Sequence, residues 1–208
     1  MRIIAGRFRG RRLANFNASH IRPTTDRVKE SIFNKLQGYV DGARVLDLFA
    51  GTGNLTCEAI SRGATSVDSV ELSKKSIAII RDNLKLLEIE DEVQVICDDV
   101  LKYLKRYSGP AYDLILADPP FTEKLAHSVL ELLGSSAAVG PDTVIMIESS
   151  SHERVESSYK GLMRTDERDY GDKRVSFWTK DSEEAPKDTA ESNDPASPKH
   201  SPENAADE

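Results

Sequence analysis

Val45-Leu46-Asp47-Leu48-Phe49-Ala50-Gly51-Thr52-Gly53-Asn54 decides how this chain folds. An apolar run ends in an acid, turns through two glycines and gives way to a stretch with helical apolar spacing at Leu55, Ala59 and Ile60. A Gly-x-Gly turn between a strand and a helix lets a ligand approach the backbone closely, near the helix N-terminus. A nicotinamide or flavin site wants a third glycine three residues after Gly53, where Thr56 stands. No Gly-Lys-Ser/Thr follows, so a Walker loop fails as well. Asp47, at the strand end, faces badly toward a pyrophosphate and well toward a cationic amino-acid moiety. By itself the glycine turn is a weak signal.

The strands on either side strengthen it. Ser66–Glu71 reads as a second strand ending in a carboxylate, 18 residues beyond Gly53. From that point in a βαβ unit a carboxylate commonly takes ribose hydroxyls. A third strand, Val93–Cys97, ends at Asp98-Asp99-Val100, where an acid or a backbone amide can meet an adenine edge. A fourth, Tyr112–Ala117, runs into Asp118-Pro119-Pro120-Phe121. The two prolines lock φ and lack N–H donors, so backbone carbonyls there point where no helix or sheet bond claims them. A carboxylate and a carbonyl then face one small volume beside the flat wall of Phe121. That suits the exocyclic amino group of a nucleobase, with two N–H donors and a face to stack on. Each acid is also readable as the cap of the following helix. Four successive strands ending in Asp or Glu, two of them with special turns, favour a ligand site at the carboxyl edge of an open α/β sheet.

The wider pattern is one of alternation. Strands near 43–48, 66–71, 92–97, 112–117 and 142–148 are separated by helices near 54–62, 73–87, 99–106 and 122–133. Such alternation predicts a mostly parallel sheet covered on both faces. An amphipathic helix over 27–37 leads into it, with Val28, Ile32, Phe33 and Leu36 on one side. Arg164–Tyr170 and Arg174–Thr179, joined at Gly171-Asp172, read as a closing antiparallel hairpin.

At 208 residues the chain fits one domain with enough core to fold unaided. No apolar run approaches the roughly 18 residues of a membrane span, and no signal-peptide core opens the sequence. Cys57 and Cys97 lack metal-ligand spacing and read as two small buried thiols in a reducing compartment, so a cytoplasmic protein without a metal is expected. The net charge of −7 hides an asymmetry. Residues 1–44 carry ten Lys/Arg against Asp26, Glu30 and Asp41, whereas residues 181–208 carry nine acids against Lys187 and Lys199. Arg7, Arg9, Arg11 and Arg12, interleaved with Gly6, Phe8 and Gly10, suit a flexible or hairpin segment laid on a phosphate backbone. The division predicted is a basic arm and helix over 1–40, a core over 41–180, and a disordered acidic tail over 181–208 rich in Pro, Ser and Ala.

Taken in order, Asp47-Leu48-Phe49-Ala50-Gly51-Thr52-Gly53, Glu71, Asp99 and Asp118-Pro119-Pro120-Phe121 resemble the S-adenosylmethionine-dependent methyltransferases that act on amino groups. Three further segments narrow the resemblance to RsmD-type 16S rRNA guanine-N2 methyltransferases: Met1–Arg7 with Gly10–Leu13, Arg22-Pro23-Thr24-Thr25-Asp26-Arg27-Val28-Lys29-Glu30, and Tyr170–Phe177. It covers about residues 1 to 180 and not the tail.

The resemblance implies a Rossmann-like class I methyltransferase, with one antiparallel strand added to the parallel sheet. It implies S-adenosyl-L-methionine as cofactor, held by Asp47, Phe49, Ala50, Gly51, Gly53, Glu71, Asp99 and Val100. Asp118, Pro119 and Phe121 would be the catalytic set, and Arg7, Arg9, Arg11, Arg12, Arg22 and Thr24 the contacts to RNA. Arg22–Thr25 is equally readable as the cap of the helix after it. The implied reaction is methylation of a specific guanine of 16S rRNA, of the guanine-966 type, in the assembled or assembling small ribosomal subunit. His20, His127, His152 and His200 lie outside these motifs and are expected on the surface. Two other readings stand: an adenine-N6 methyltransferase acting on DNA or RNA, and a noncatalytic RNA-binding protein keeping a degenerate fold.

Overall fold

Short apolar runs ending in acids become parallel strands, and the amphipathic stretches between them become crossover helices. In the computed structural model, which describes residues 1–14, 26–121 and 123–181, the parallel strands are β1 (Arg44–Leu48), β2 (Ser66–Glu71), β3 (Val93–Cys97), β4 (Tyr112–Ala117) and β5 (Val139–Ser150). Helices α1 (Asp26–Lys35) and α2 (Gln37–Val40) precede β1. Helices α3 (Asn54–Ser61), α4 (Lys74–Leu87), α5 (Val100–Arg106) and α6 (Ala126–Leu133) join successive strands. Strands β6 (Ser158–Tyr159), β7 (Leu162–Tyr170) and β8 (Lys173–Lys180) close the chain in antiparallel pairing. The strand order among the described residues is β3-β2-β1-β4-β5-β8-β7-β6. The order reverses between β1 and β4, and a Rossmann-like sheet binds ligands at the carboxyl ends of the strands at such a point.

Period-two alternation along each strand builds two apolar layers. Val45, Leu116, Met146 and Phe177 pack under α1, α3 and α4, whereas Leu48, Ile115, Ile147 and Trp178 pack under α5 and α6. Each fully buried side chain of this size stabilises the fold by about 1.5–3 kcal/mol relative to exposure. Helix α4 shows how local chemistry sets the ends: Ser73 accepts from the Ser76 amide at 3.3 Å, and Glu88 stops the helix in the left-handed region at φ 57°.

Residues 1–14 fold back on themselves as a hairpin, with Arg2 and Arg12 bridged antiparallel. It is docked rather than free. Ile3 and Leu13 are buried in the same layer as α1 and α3, and the Ile4 and Ala5 amides donate to Glu58 at 2.8 and 3.1 Å. Glu58 in turn meets Lys29 Nζ at 3.0 Å, and Lys29 also donates to the Arg2 carbonyl and to Asn54 Oδ1. Both charges are fully buried, and desolvation lowers the Lys29 pKa against the pull of Glu58. Gly6 makes the docking possible. It lies at φ +82°, and a Cβ there would sit 1.7 Å from the Ser61 carbonyl oxygen.

Three expectations are corrected. Helix α6 begins at Ala126 rather than near 122, because Pro120 accepts from the Glu123 amide and Lys124 takes φ 50°, prolonging the turn. Strand β5 extends well beyond 142–148, since it must pair with both β4 and β8. Cys97 is exposed, not buried, because it ends β3 at the edge of the sheet; Cys57 is buried. No helix among the described residues is long and apolar enough to cross a membrane.

Candidate active site

The turn from β1 to α3 holds three residues at positive φ: Phe49 at 61°, Gly51 at 56° and Gly53 at 79°. Phe49 is the costly one, since a side chain disfavours that region. The turn is held from its neighbours. The Ala50 amide donates to the Val70 carbonyl of β2, and Asn83 of α4 donates to the Thr52 carbonyl at 2.9 Å. Glu71 completes the frame, accepting from the Gly51 amide at 2.8 Å and the Ser73 amide at 2.7 Å. One carboxylate therefore ties the glycine turn to the start of α4. Beside it, Leu72 is 64% exposed, an apolar surface that packing among the described residues leaves open.

Strand pairing brings the acids together. Leu48 lies opposite Ala117, so Asp47 and Asp118 flank the crevice at the ends of β1 and β4. Asp47 is buried, and Thr56 Oγ1 donates to it at 2.5 Å while also meeting Ser69 Oγ. Burial pushes its pKa up to about 7; the Thr56 hydrogen bonds oppose the shift, and the negative charges of Asp118 and Glu71 add to it. Asp118 is about 30% exposed at its side chain, with Pro119 buried and Phe121 half-buried in the turn beyond it. Glu71 and the partly open Asp118, on the strand ends either side of β1, suit a cationic ligand, with Asp47 buried beneath the glycine turn, and that turn and Leu72 suit a nucleoside beside them. An S-adenosylmethionine molecule, with its ammonium, sulfonium and adenosine, fits this set of acceptors.

Asp99 sits one strand further out. It caps α5, accepting from the Lys102 amide at 2.9 Å, with Val100 buried behind it. Cap and strand-end acid are here the same residue. The arm arginines lie on the docked hairpin. Arg7 pairs with Glu92 at 2.5 Å and covers Phe8, Arg11 donates to the Leu86 carbonyl, and Arg9, Arg11 and Arg12 are exposed. Arg22, Thr24, Thr25, His20, His200 and the tail beyond Asp181 lie outside the described residues. His127 and His152 are exposed.

The sequence pattern does not single out Lys173 as a site residue. Its ammonium meets Glu148 Oε2 at 2.6 Å, stands 3.9 Å from Asp118 Oδ1 and lies 4.7 Å from the centre of the Phe121 ring. Nor does it single out Glu148, fully buried on β5. The available signal was weak: a lysine just after the Gly171-Asp172 turn, and an acid inside an apolar strand.

Residues 1–179 match the family described as Conserved hypothetical protein 95. The Ribosomal RNA small subunit methyltransferase D of Haemophilus influenzae is 40% identical over 151 residues, 72% of this chain and 78% of that protein. The putative rRNA methyltransferase YlbH of Bacillus subtilis is 36% identical over 184 residues, covering 86% of this chain and 99% of its own length. Among solved structures, the putative methyltransferase yhhF of Escherichia coli aligns with a TM-score of 0.78 at 28% identity, over 87% of this chain and 98% of that one. On its matched length, its strand order and these relatives, the chain belongs to the Conserved hypothetical protein 95 family, the RsmD-type methyltransferases.

Proposed function

We propose that this protein transfers a methyl group from S-adenosylmethionine to the exocyclic N2 amine of a guanine in 16S rRNA, within the assembled or assembling small ribosomal subunit. The observation that carries this reading is the Asp118-Pro119-Pro120-Phe121 turn, partly open and set beside the glycine turn at the reversal of strand order. The names of the relatives support ribosomal RNA as the substrate class.

The residues that would hold the cofactor are Phe49, Ala50, Gly51, Gly53 and Glu71, around the turn that buried Asp47 supports, with Asp99 and Val100 toward its adenine. When bound, S-adenosylmethionine supplies an electrophilic methyl group on a sulfonium. The chain's own task is to make a poor nucleophile attack. A guanine amino group has its lone pair delocalised into the ring. Asp118 and the Pro119 carbonyl accept its two N–H bonds and draw the nitrogen toward a tetrahedral shape. Those hydrogen bonds strengthen as the nitrogen turns cationic, so they favour the transition state over the ground state. The target base must leave its stack, and Phe121 offers a face against which it can rest. The proton can pass to water once the amine is charged, so no histidine is required. The exposed Arg9, Arg11 and Arg12 would lie on RNA phosphates.

The test is transfer of labelled methyl from S-adenosylmethionine to unmodified small ribosomal subunits, naked 16S rRNA and duplex DNA, with identification of the labelled base. Label in N2-methylguanine from either ribosomal substrate, lost with Asp118→Ala, supports the reading. Label in adenine keeps the fold and the grip on an amine but overturns the assigned base, and no transfer at all overturns the activity.

A further inference from the structure

Strand β8 runs antiparallel to β5, so it delivers its first residue, not its last, to the carboxyl edge of the sheet. That residue is Lys173, in register with Ser150 at the end of β5. Alternation along both strands puts Glu148 on the face of Met146 and Lys173 on the face of Val175 and Phe177, the layer that includes α1. The two charges therefore meet inside one layer, at 2.6 Å, with Glu148 fully buried and the Lys173 side chain only 13% exposed. A buried carboxylate is tolerated only when paired, which pins the ammonium in place. From there it reaches two members of the acceptor turn, standing 3.9 Å from Asp118 Oδ1 and over the ring of Phe121.

We propose that Lys173 is a positioning residue of the acceptor site: anchored on buried Glu148, its ammonium sets the orientation of the Asp118 carboxylate and the Phe121 ring that together receive the target amine. The attraction to Asp118 is that of opposite charges at close range, and the contact with Phe121 is a cation over an aromatic face. The closing hairpin thus has a role in the reaction besides covering the sheet edge. The first residue of its second strand couples the antiparallel addition to the Asp-Pro-Pro-Phe turn after β4. This inference rests on the proposed methyl transfer at Asp118.

The experiment is a double-mutant cycle between Lys173→Met and Asp118→Asn, with Lys173→Arg as the conservative variant. It is read as kcat, KM for S-adenosylmethionine and melting temperature on the RNA substrate that the wild type methylates. Lys173→Met is expected to lower kcat about tenfold, within the range that a misplaced catalytic group costs. The KM for S-adenosylmethionine should change less than about twofold, and Lys173→Arg should recover most of the rate. In the Asp118→Asn background the same substitution should cost less than about twofold, because Lys173 acts through Asp118. If Lys173→Met fails to fold with Glu148 left unpaired, the comparison is Glu148→Gln with and without Lys173→Met, which removes that burden. Equal losses in both backgrounds, an unchanged kcat in a folded variant, or a loss that tracks cofactor KM and melting temperature would overturn the proposal. A wild type that methylates RNA through Asp118 while ignoring Lys173 defeats this inference alone. A wild type that methylates no RNA removes the activity reading and this inference with it.

Discussion

Asp47 and Asp118 stand at the carboxyl ends of adjacent parallel strands, Asp47 opposite Leu116 and Asp118 just past the last paired residue Ala117, yet they live in different chemistry. Asp47 is sealed beneath the glycine turn, hydrogen-bonded to Thr56 and pushed up to about 7 by burial. Asp118 is partly open, leads from its strand into two prolines and has a lysine 3.9 Å away. The difference comes from the turn at the end of each strand. The Gly-x-Gly turn leads into α3, whose Thr56 seals Asp47, whereas Asp118 leads into Pro119 and Pro120 with its side chain partly exposed. One acid supports the glycine turn; the other is left partly open, where the proposed substrate amine would meet it.

The largest expected effect tests the open acid. Asp118→Asn keeps shape and loses charge, and should lower kcat by about 10²–10³, the usual cost of one transition-state contact. Its melting temperature should match the wild type, since the side chain is not part of the core. A single-turnover methyl-transfer assay beside a thermal melt checks both. Near wild-type turnover would dissolve the contrast between the two acids.

The sealed acid should respond in stability and in its pH dependence. Folded Asp47 keeps its proton up to about pH 7, whereas the unfolded chain loses it near 3.8. Between those values the folded state holds the extra proton, so the stability this group contributes is complete below the lower value and is lost as pH rises through the upper one. Asp47→Asn, always neutral, should gain on the wild type across that window by at most about 1.4 kcal/mol per pH unit. Chemical denaturation of both proteins from acid to neutral pH measures the difference. Parallel curves would show that Asp47 is not protonated in the fold.

The arm repeats the division on a smaller scale. Arg7, though exposed, is paired with Glu92, while Arg9, Arg12 and Arg11, which also donates to the Leu86 carbonyl, are exposed on a hairpin held by buried Ile3, Leu13 and Glu58. Replacing those three arginines with alanine should leave the melt unchanged. It should make the dependence of log K on log salt for RNA binding shallower by about 2 to 3. An unchanged slope would mean that these exposed charges do not meet phosphate.

Much of this was legible in the residues. The glycine turn, the four acid-ended strands and the closing hairpin each rest on local signals: turn chemistry, apolar period and strand length. The features that were not legible depended on contacts between distant segments. Glu58 has Arg62 one helical turn on, but nothing near it or near Lys29 in the chain announces that the two bury a charge pair under the N-terminal hairpin, because Lys29 and Ile4 lie dozens of residues from Glu58. Cys97 had the apolar neighbours of a core residue and was exposed because β3 is an edge strand, a property of strand order.

Lys173 shows the boundary most sharply. Its neighbourhood, Tyr170–Phe177, carries part of the family resemblance but assigns Lys173 no role beyond beginning a strand after a turn, and a lysine at such a place is usually solvated. Strand polarity and pairing decide otherwise, by setting it against β5, over Glu148 and beside Asp118. The local pattern of glycines, prolines and acids determined the order of elements and the edge of the sheet where ligands go, because backbone preference and side-chain period act over a few residues. Which acid is sealed, which is open, and which lysine stands beside the open one was decided by the tertiary structure, because burial and charge pairing depend on what the rest of the chain brings alongside.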